Sequence, residues 1–127
     1  MLLSKKSPYK KEKNLKFKDY YIRITGGTLR DSEYKFNGKL SIGRDKNKCD
    51  IFYPVNEPGI SSLHCTVQLV GNECYLIDNF STYGTYLADG TRIEASQPYK
   101  IESNNFAFYI AKPENSFEFI NKKEIKK

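Results

Sequence analysis

The chain has no apolar run approaching the ~20 residues that cross a bilayer as a helix, a single histidine, three cysteines, and little alanine or leucine. Each shortage excludes something. Without such a run there is no helical membrane span. The start, Met1-Leu2-Leu3-Ser4 followed at once by lysines, lacks the apolar core of a signal peptide, so the sequence reads as soluble and cytoplasmic. Cys49, Cys65 and Cys74 are odd in number and without repeated spacing, a poor disulfide framework that fits a reducing compartment. A zinc site built from His64 and the cysteines fails on geometry, because Cys65 follows His64 directly in a strand-like stretch where neighbours point to opposite faces. A Cys-His nucleophilic pair has no orienting group or oxyanion site to complete it. With no paired acid and base either, the reading is a protein with no catalytic residues, no metal and no cofactor.

The shortage of alanine and leucine also bears on fold, since the ten tyrosines and eight phenylalanines favour strands over helices. No window carries a sustained apolar pattern at i, i+3, i+4 and i+7 with caps. At 127 residues the chain is one domain, large enough to close a single core without staples.

The net charge of +6 sits at the ends. Residues 1–18 hold seven lysines against one glutamate, residues 121–127 hold four lysines against one glutamate, and the body between them carries −3. Lysine runs with few apolar residues cannot bury enough surface to offset their ordering entropy, so 1–18 and 121–127 read as basic tails around a folded body at 19–120. Such tails serve solubility or linkage, or else make weak electrostatic contact with nucleic acid or an anionic membrane. Nothing in the body repeats that signal, so no specific nucleic-acid partner is expected.

Along the body, short β-branched and aromatic stretches alternate with turns. Strands are expected at 20–25, 33–36, 39–43, 50–53, 65–70, 73–78, 85–87, 91–93, 99–101, 106–111 and 116–120. Asn37-Gly38 and Gly71-Asn72 carry the chemistry of tight hairpins, and Ala88-Asp89-Gly90 separates another pair. Short strands at near-regular spacing imply an antiparallel all-β sandwich or barrel. Its strand-free stretches at 45–50, 54–63 and 79–84 become loops on a rigid scaffold, where binding residues concentrate.

Three clusters touch those loops: Gly43-Arg44, Ser61-Ser62-Leu63-His64 and Ser81-Thr82-Tyr83-Gly84-Thr85. A phosphate dianion calls for a guanidinium, which presents a charged planar fork, and for hydroxyls or amides to occupy its other oxygens. Arg44 and the hydroxyls of Ser61, Ser62, Ser81, Thr82 and Thr85 are of that type, though spacing alone does not make them converge. Lys46 and Lys48, close behind Arg44, are either auxiliary cations or a solvated loop.

With Leu40-Ser41-Ile42 leading into Gly43-Arg44, and Tyr75-Leu76-Ile77-Asp78-Asn79-Phe80 leading into the third cluster, the pattern from about Asp19 to Ile120 resembles the forkhead-associated (FHA) domain. The insert at 53–59 and the stretches at 108–110 and 114–117 resemble a bacterial branch of that family. The resemblance implies a sandwich of two twisted, mainly antiparallel sheets of about eleven strands, reading a phosphothreonine peptide on loops at one end. It implies Arg44 as phosphate ligand, Ser61 as hydroxyl donor, Thr82 as assistant through hydroxyl or amide, His64 as a structural tie, and Gly43, Gly84 and Thr85 as shapers of turns. Two positions depart from the family pattern. Ser62 stands where a long polar residue is common, and Tyr83 where an asparagine usually bonds the peptide backbone, although a tyrosine hydroxyl can donate and accept there. Expected partners are therefore a phosphothreonine protein and, behind it, a Ser/Thr kinase. A scaffold that binds protein without phosphate is the alternative, and a tail-mediated nucleic-acid or membrane-surface binder is a third.

Overall fold

The structure, a computed structural model, describes residues 17–122. Ten strands follow one another: β1 (Tyr20–Ile24), β2 (Glu33–Lys35), β3 (Lys39–Gly43), β4 (Ile51–Phe52), β5 (Cys65–Val70), β6 (Glu73–Asp78), β7 (Thr85–Leu87), β8 (Tyr99–Ile101), β9 (Asn105–Ile110) and β10 (Ser116–Asn121). They form two five-stranded sheets, ordered β2-β1-β10-β9-β7 and β4-β3-β5-β6-β8. All pairings are antiparallel except the short parallel contact of β3 with β4. The expected sandwich is present, with ten strands where eleven were expected. The segment 91–93 makes a single bridge, Arg92 to Tyr86, supported by the Leu87 amide on the Thr91 carbonyl and the Ile93 amide on the Thr85 carbonyl.

The period-2 alternation of half-buried strands explains how the sheets face each other. In β6, Cys74, Leu76 and Asp78 point inward while Glu73, Tyr75 and Ile77 alternate with them. In β10 the inward set is Phe117 and Phe119. Both sheets contribute to one apolar core, with Ile22, Ile24, Phe117 and Phe119 from the first and Ile42, Val67 and Leu76 from the second. Aromatic pairs fill it, notably Phe108 stacked on Phe117 at 5.0 Å and Phe36 edge-on to Phe119 at 5.1 Å, a geometry that adds to area burial.

Two features of the sequence reading change here. Gly71-Asn72 closes a hairpin, since Val70 pairs with Glu73, but Asn37-Gly38 does not: β2 and β3 lie in different sheets, and the turn carries the chain from one to the other. Phe17, grouped by composition with the N-terminal tail, is buried and packs 4.9 Å from Tyr20. At the other end Asn121 pairs with Tyr20, and the Lys122 amide bonds the Asp19 carbonyl. The folded body therefore reaches at least 17–122, and the rest of both basic tails lies outside the described residues. No helix among the described residues is long and apolar enough to cross a membrane.

Candidate functional site

The β3–β4, β4–β5 and β6–β7 connections meet at one end of the sandwich, and their contacts can be followed residue by residue. β3 delivers Arg44 to the edge of the sheet. Gly43 ends the strand because the β4–β5 loop packs directly on it: an added Cβ would lie 2.2 Å from the Ser62 carbonyl oxygen and 2.9 Å from Cys49 Sγ. That same carbonyl accepts the amides of Arg44 and Asp45 at 3.1 Å each and the Cys49 thiol at 3.2 Å. Ser62 thus joins the two loops through its backbone, while its side chain faces solvent.

Arg44 is half-buried, with its guanidinium bonded to the chain's own carbonyls. Nε donates to Ile60 O, and Nη1 to Val55 O at 2.7 Å. These bonds aim the group and use two of its five N–H donors, so the outer face of the fork keeps capacity for an anion.

The third loop is held by Asp78, buried at the end of β6. Its Oδ1 accepts the hydroxyls of Ser81 at 2.6 Å and Thr85 at 2.7 Å, and its Oδ2 accepts the Ser81 amide at 3.0 Å. The Ser81 hydroxyl in turn accepts the Gly84 amide at 2.9 Å. Gly84 adopts φ +90°, a backbone conformation that favours glycine, and a Cβ there would lie 2.6 Å from Arg92 Nε, so a side chain would also have to displace that guanidinium. The network leaves Thr82 and Tyr83 exposed at the tip.

His64 binds the second loop to the third. Its Nδ1 accepts the Ser61 amide at 3.1 Å, which places the ring proton on Nε2, and Nε2 then donates to Gly84 O at 2.8 Å. The ring is fully buried. Burial holds its pKa below the ordinary value, opposed by the Gly84 carbonyl and by Asp78, and reinforced by Arg92. Burial likewise pushes the Cys65 and Cys49 thiols up. Across the same junction the Ser61 hydroxyl accepts the Thr82 amide at 3.2 Å.

Arg44, Ser61, Ser62 and Thr82 are thus drawn together by bonds among their own loops. Tyr83 is 58% exposed beside Gly59, where an added Cβ would lie 3.9 Å from the tyrosine Cδ2. Lys46 flanks Arg44 along an open groove, whereas Lys48, exposed on the same turn, does not line it. Sequence reasoning passed over Asp78, although an Asp at a strand end with Ser three residues later is a local side-chain-to-backbone signal. It also passed over Arg92, which reaches the turn at Gly84 from the next hairpin.

The fold matches those of known proteins. The FHA domain of MEK1, solved with a phosphothreonine peptide of HOP1, is 18% identical, with a TM-score of 0.65 over 81% of this chain and 96% of that one. The FHA domain of Chlamydia trachomatis CT664 is 16% identical, with a TM-score of 0.62 over 79% and 93%. Full-length yeast Pml1p is 24% identical, with a TM-score of 0.60 over 80% and 78%. No curated protein matches the chain significantly. The family model for the FHA domain matches residues 40–106, more than half the chain and all three loop clusters, and the chain belongs to the FHA domain family.

Proposed function

We propose that this domain is a non-enzymatic phosphothreonine-peptide reader that couples the output of a Ser/Thr kinase to assembly of a protein complex. The observation that carries the reading is the convergence of Arg44, Ser61 and Thr82 at one loop junction. In this reading the free face of the Arg44 guanidinium holds the phosphate. The Ser61 hydroxyl keeps its own proton to donate while accepting the Thr82 amide. Thr82 adds its hydroxyl, and Tyr83 bonds the peptide backbone. Ser62 and Lys46 are the next polar groups at hand, with Lys48 further out. Membership of the FHA family supports this, as do two related structures, the MEK1 domain with its HOP1 phosphothreonine peptide and an engineered FHA domain with a Myc peptide.

A second reading has an observation of its own. Arg44 already bonds the carbonyls of Val55 and Ile60, and Ser62 brings no charge to the anion, which suits a scaffold that binds protein without phosphate. An oriented peptide library, phosphorylated and unphosphorylated, separates the two. The first reading expects selection of phosphothreonine peptides and loss of that selection in Arg44→Ala, whereas equal binding of both libraries favours the scaffold.

A further inference from the structure

The positive charge of the chain is gathered in space as well as in sequence. Residues 17–122 hold twelve basic side chains against thirteen acidic ones, whereas 1–16 hold six lysines against one glutamate and 123–127 three against one. Both basic segments join the fold at one pole, because Tyr20 at the start of β1 pairs with Asn121 at the end of β10 and the Lys122 amide bonds the Asp19 carbonyl. This pole is opposite the loops of Arg44 and Thr82, since β3 runs from Lys39 here to Gly43 there. The folded surface continues the charge. Lys35 Nζ bonds the Lys18 carbonyl at 2.6 Å and sits 5.1 Å from the centre of the Tyr21 ring. Lys122 Nζ lies 4.7 Å from the same ring and 2.8 Å from a Glu33 carboxylate oxygen. Lys18 and Lys35 also line a hollow of about 350 Å³ beside the Asn37-Gly38 turn, with Asp19 the carboxylate on its wall. Among the described residues, the exposed Lys18, Lys35 and Lys39 form no ion pair.

Lysines spread evenly over a surface serve solubility, whereas lysines concentrated at one pole call for an anion of many charges. Three such partners can be compared. Single-stranded nucleic acid needs exposed aromatic faces on which bases stack, but at this pole Phe17, Tyr20 and Phe36 are buried and the Tyr21 ring is engaged by two lysines. An anionic membrane holds a polybasic segment firmly only with an apolar group beside it, and between Ser4 and Lys16 the large apolar side chains are Tyr9 and Leu15 alone. A duplex asks for neither, because lysine point charges neutralise its phosphates and release counterions whatever the sequence. We propose that the basic pole binds the phosphate backbone of duplex nucleic acid without reading its bases, leaving the loops at the other end free for a protein ligand. The motif reading missed this surface because Lys35 lies far in sequence from both tails and reaches them only through the pairing of β2 with β1 and β1 with β10.

The test titrates the full chain into fluorescent DNA and RNA duplexes of one sequence and reads anisotropy from about 50 mM to about 300 mM salt. The expected result is binding whose logarithm falls with log salt at a slope of about −4 or steeper, the two duplexes showing which source supplies the backbone. Lys18→Gln, Lys35→Gln and Lys122→Gln together should weaken binding at least fivefold and flatten the slope by about 2, with thermal melting verifying the fold. Replacing the six lysines of 1–16 by glutamine in the full chain should remove most of what is left. The proposal is overturned if neither duplex binds at the lowest salt, if the three pole substitutions leave affinity and slope unchanged, or if the matching single strand binds more tightly. Equal binding of polyglutamate would overturn it by assigning the pole to an acidic protein. Capture by phosphatidylserine vesicles under conditions where the duplexes stay free would overturn it by assigning the pole to a membrane surface.

Discussion

The Ser61 hydroxyl accepts the Thr82 amide at 3.2 Å, joining loops that are 21 residues apart in sequence. Neither loop holds this position alone. Ser61 is set by its amide on His64 and by its carbonyl under the Arg44 amide, and Thr82 by the buried carboxylate of Asp78 acting through Ser81. The site is thus a junction stabilised from below by two buried polar residues that face no ligand.

Asp78 carries the first consequence. Replacing it with Asn leaves one acceptor oxygen, so an NH2 donor must face either the Ser81 amide or the hydroxyls of Ser81 and Thr85. Hydrogen bonds to a charged group contribute about 1.5–3 kcal/mol, so Asp78→Asn should lower unfolding free energy by about 2 kcal/mol or more in urea melts. A change below a few tenths would mean that the network does not hold the 79–84 loop.

His64 carries the second, and its sign can be worked out. The folded ring titrates below its ordinary value of 6.5 because burial disfavours the charged form. Below about pH 6.5 the unfolded chain takes up a proton that the folded chain refuses, so the contribution is complete above that pH and declines as the pH falls toward the depressed folded value. Melting temperature should therefore drop between pH 7 and pH 5. His64→Gln, less stable at pH 7, should show a flatter profile over that interval.

Glycines 43 and 38 give a ranked pair. A Cβ on Gly43 strikes the Ser62 backbone, whereas one on Gly38 meets nothing within 4 Å and suffers only from φ +101°. Overpacking against backbone costs about 3 kcal/mol and left-handed strain about 1–2 kcal/mol. Gly43→Ala should thus destabilise more than Gly38→Ala, and it alone should weaken peptide binding, because it displaces the loop under Arg44. Equal effects in denaturation and binding assays would contradict the packing argument.

Tyr53 tests the core itself. Its hydroxyl is buried and finds no hydrogen-bond partner among the described residues, and burial pushes its pKa up. A buried orphan donor costs about 1–3 kcal/mol, so Tyr53→Phe should be neutral or stabilising by up to about that amount. A loss of more than 1 kcal/mol in urea melts would show that the hydroxyl is satisfied.

Much of this was legible in the residues. Alternating burial and turn chemistry placed nearly every strand, because period-2 patterning records which face is buried. The error at Asn37-Gly38 has a clear cause: a glycine with positive φ reports that the chain reverses, and carries no information on which strand pairs next. Gly71 and Gly38 both have positive φ, yet only the first closes a hairpin. The parallel β3–β4 contact was equally invisible, being made by two residues of β4 against Ile42 and Gly43. For the site, the three clusters named the loops, but their cross-links run through main-chain atoms and through Asp78, and motif spacing does not encode which carbonyl a guanidinium will bond.

Phosphate dependence is the centre of the account, and calorimetric titration of one peptide in phosphothreonine and unmodified forms, against wild type and Arg44→Ala, tests it most directly. With each charge-assisted hydrogen bond contributing about 1.5–3 kcal/mol, the account predicts that wild type binds the phosphorylated form at least about tenfold more tightly and that Arg44→Ala binds the two alike. Equal affinity of wild type for both forms, or an undiminished phosphate preference in Arg44→Ala, would contradict it.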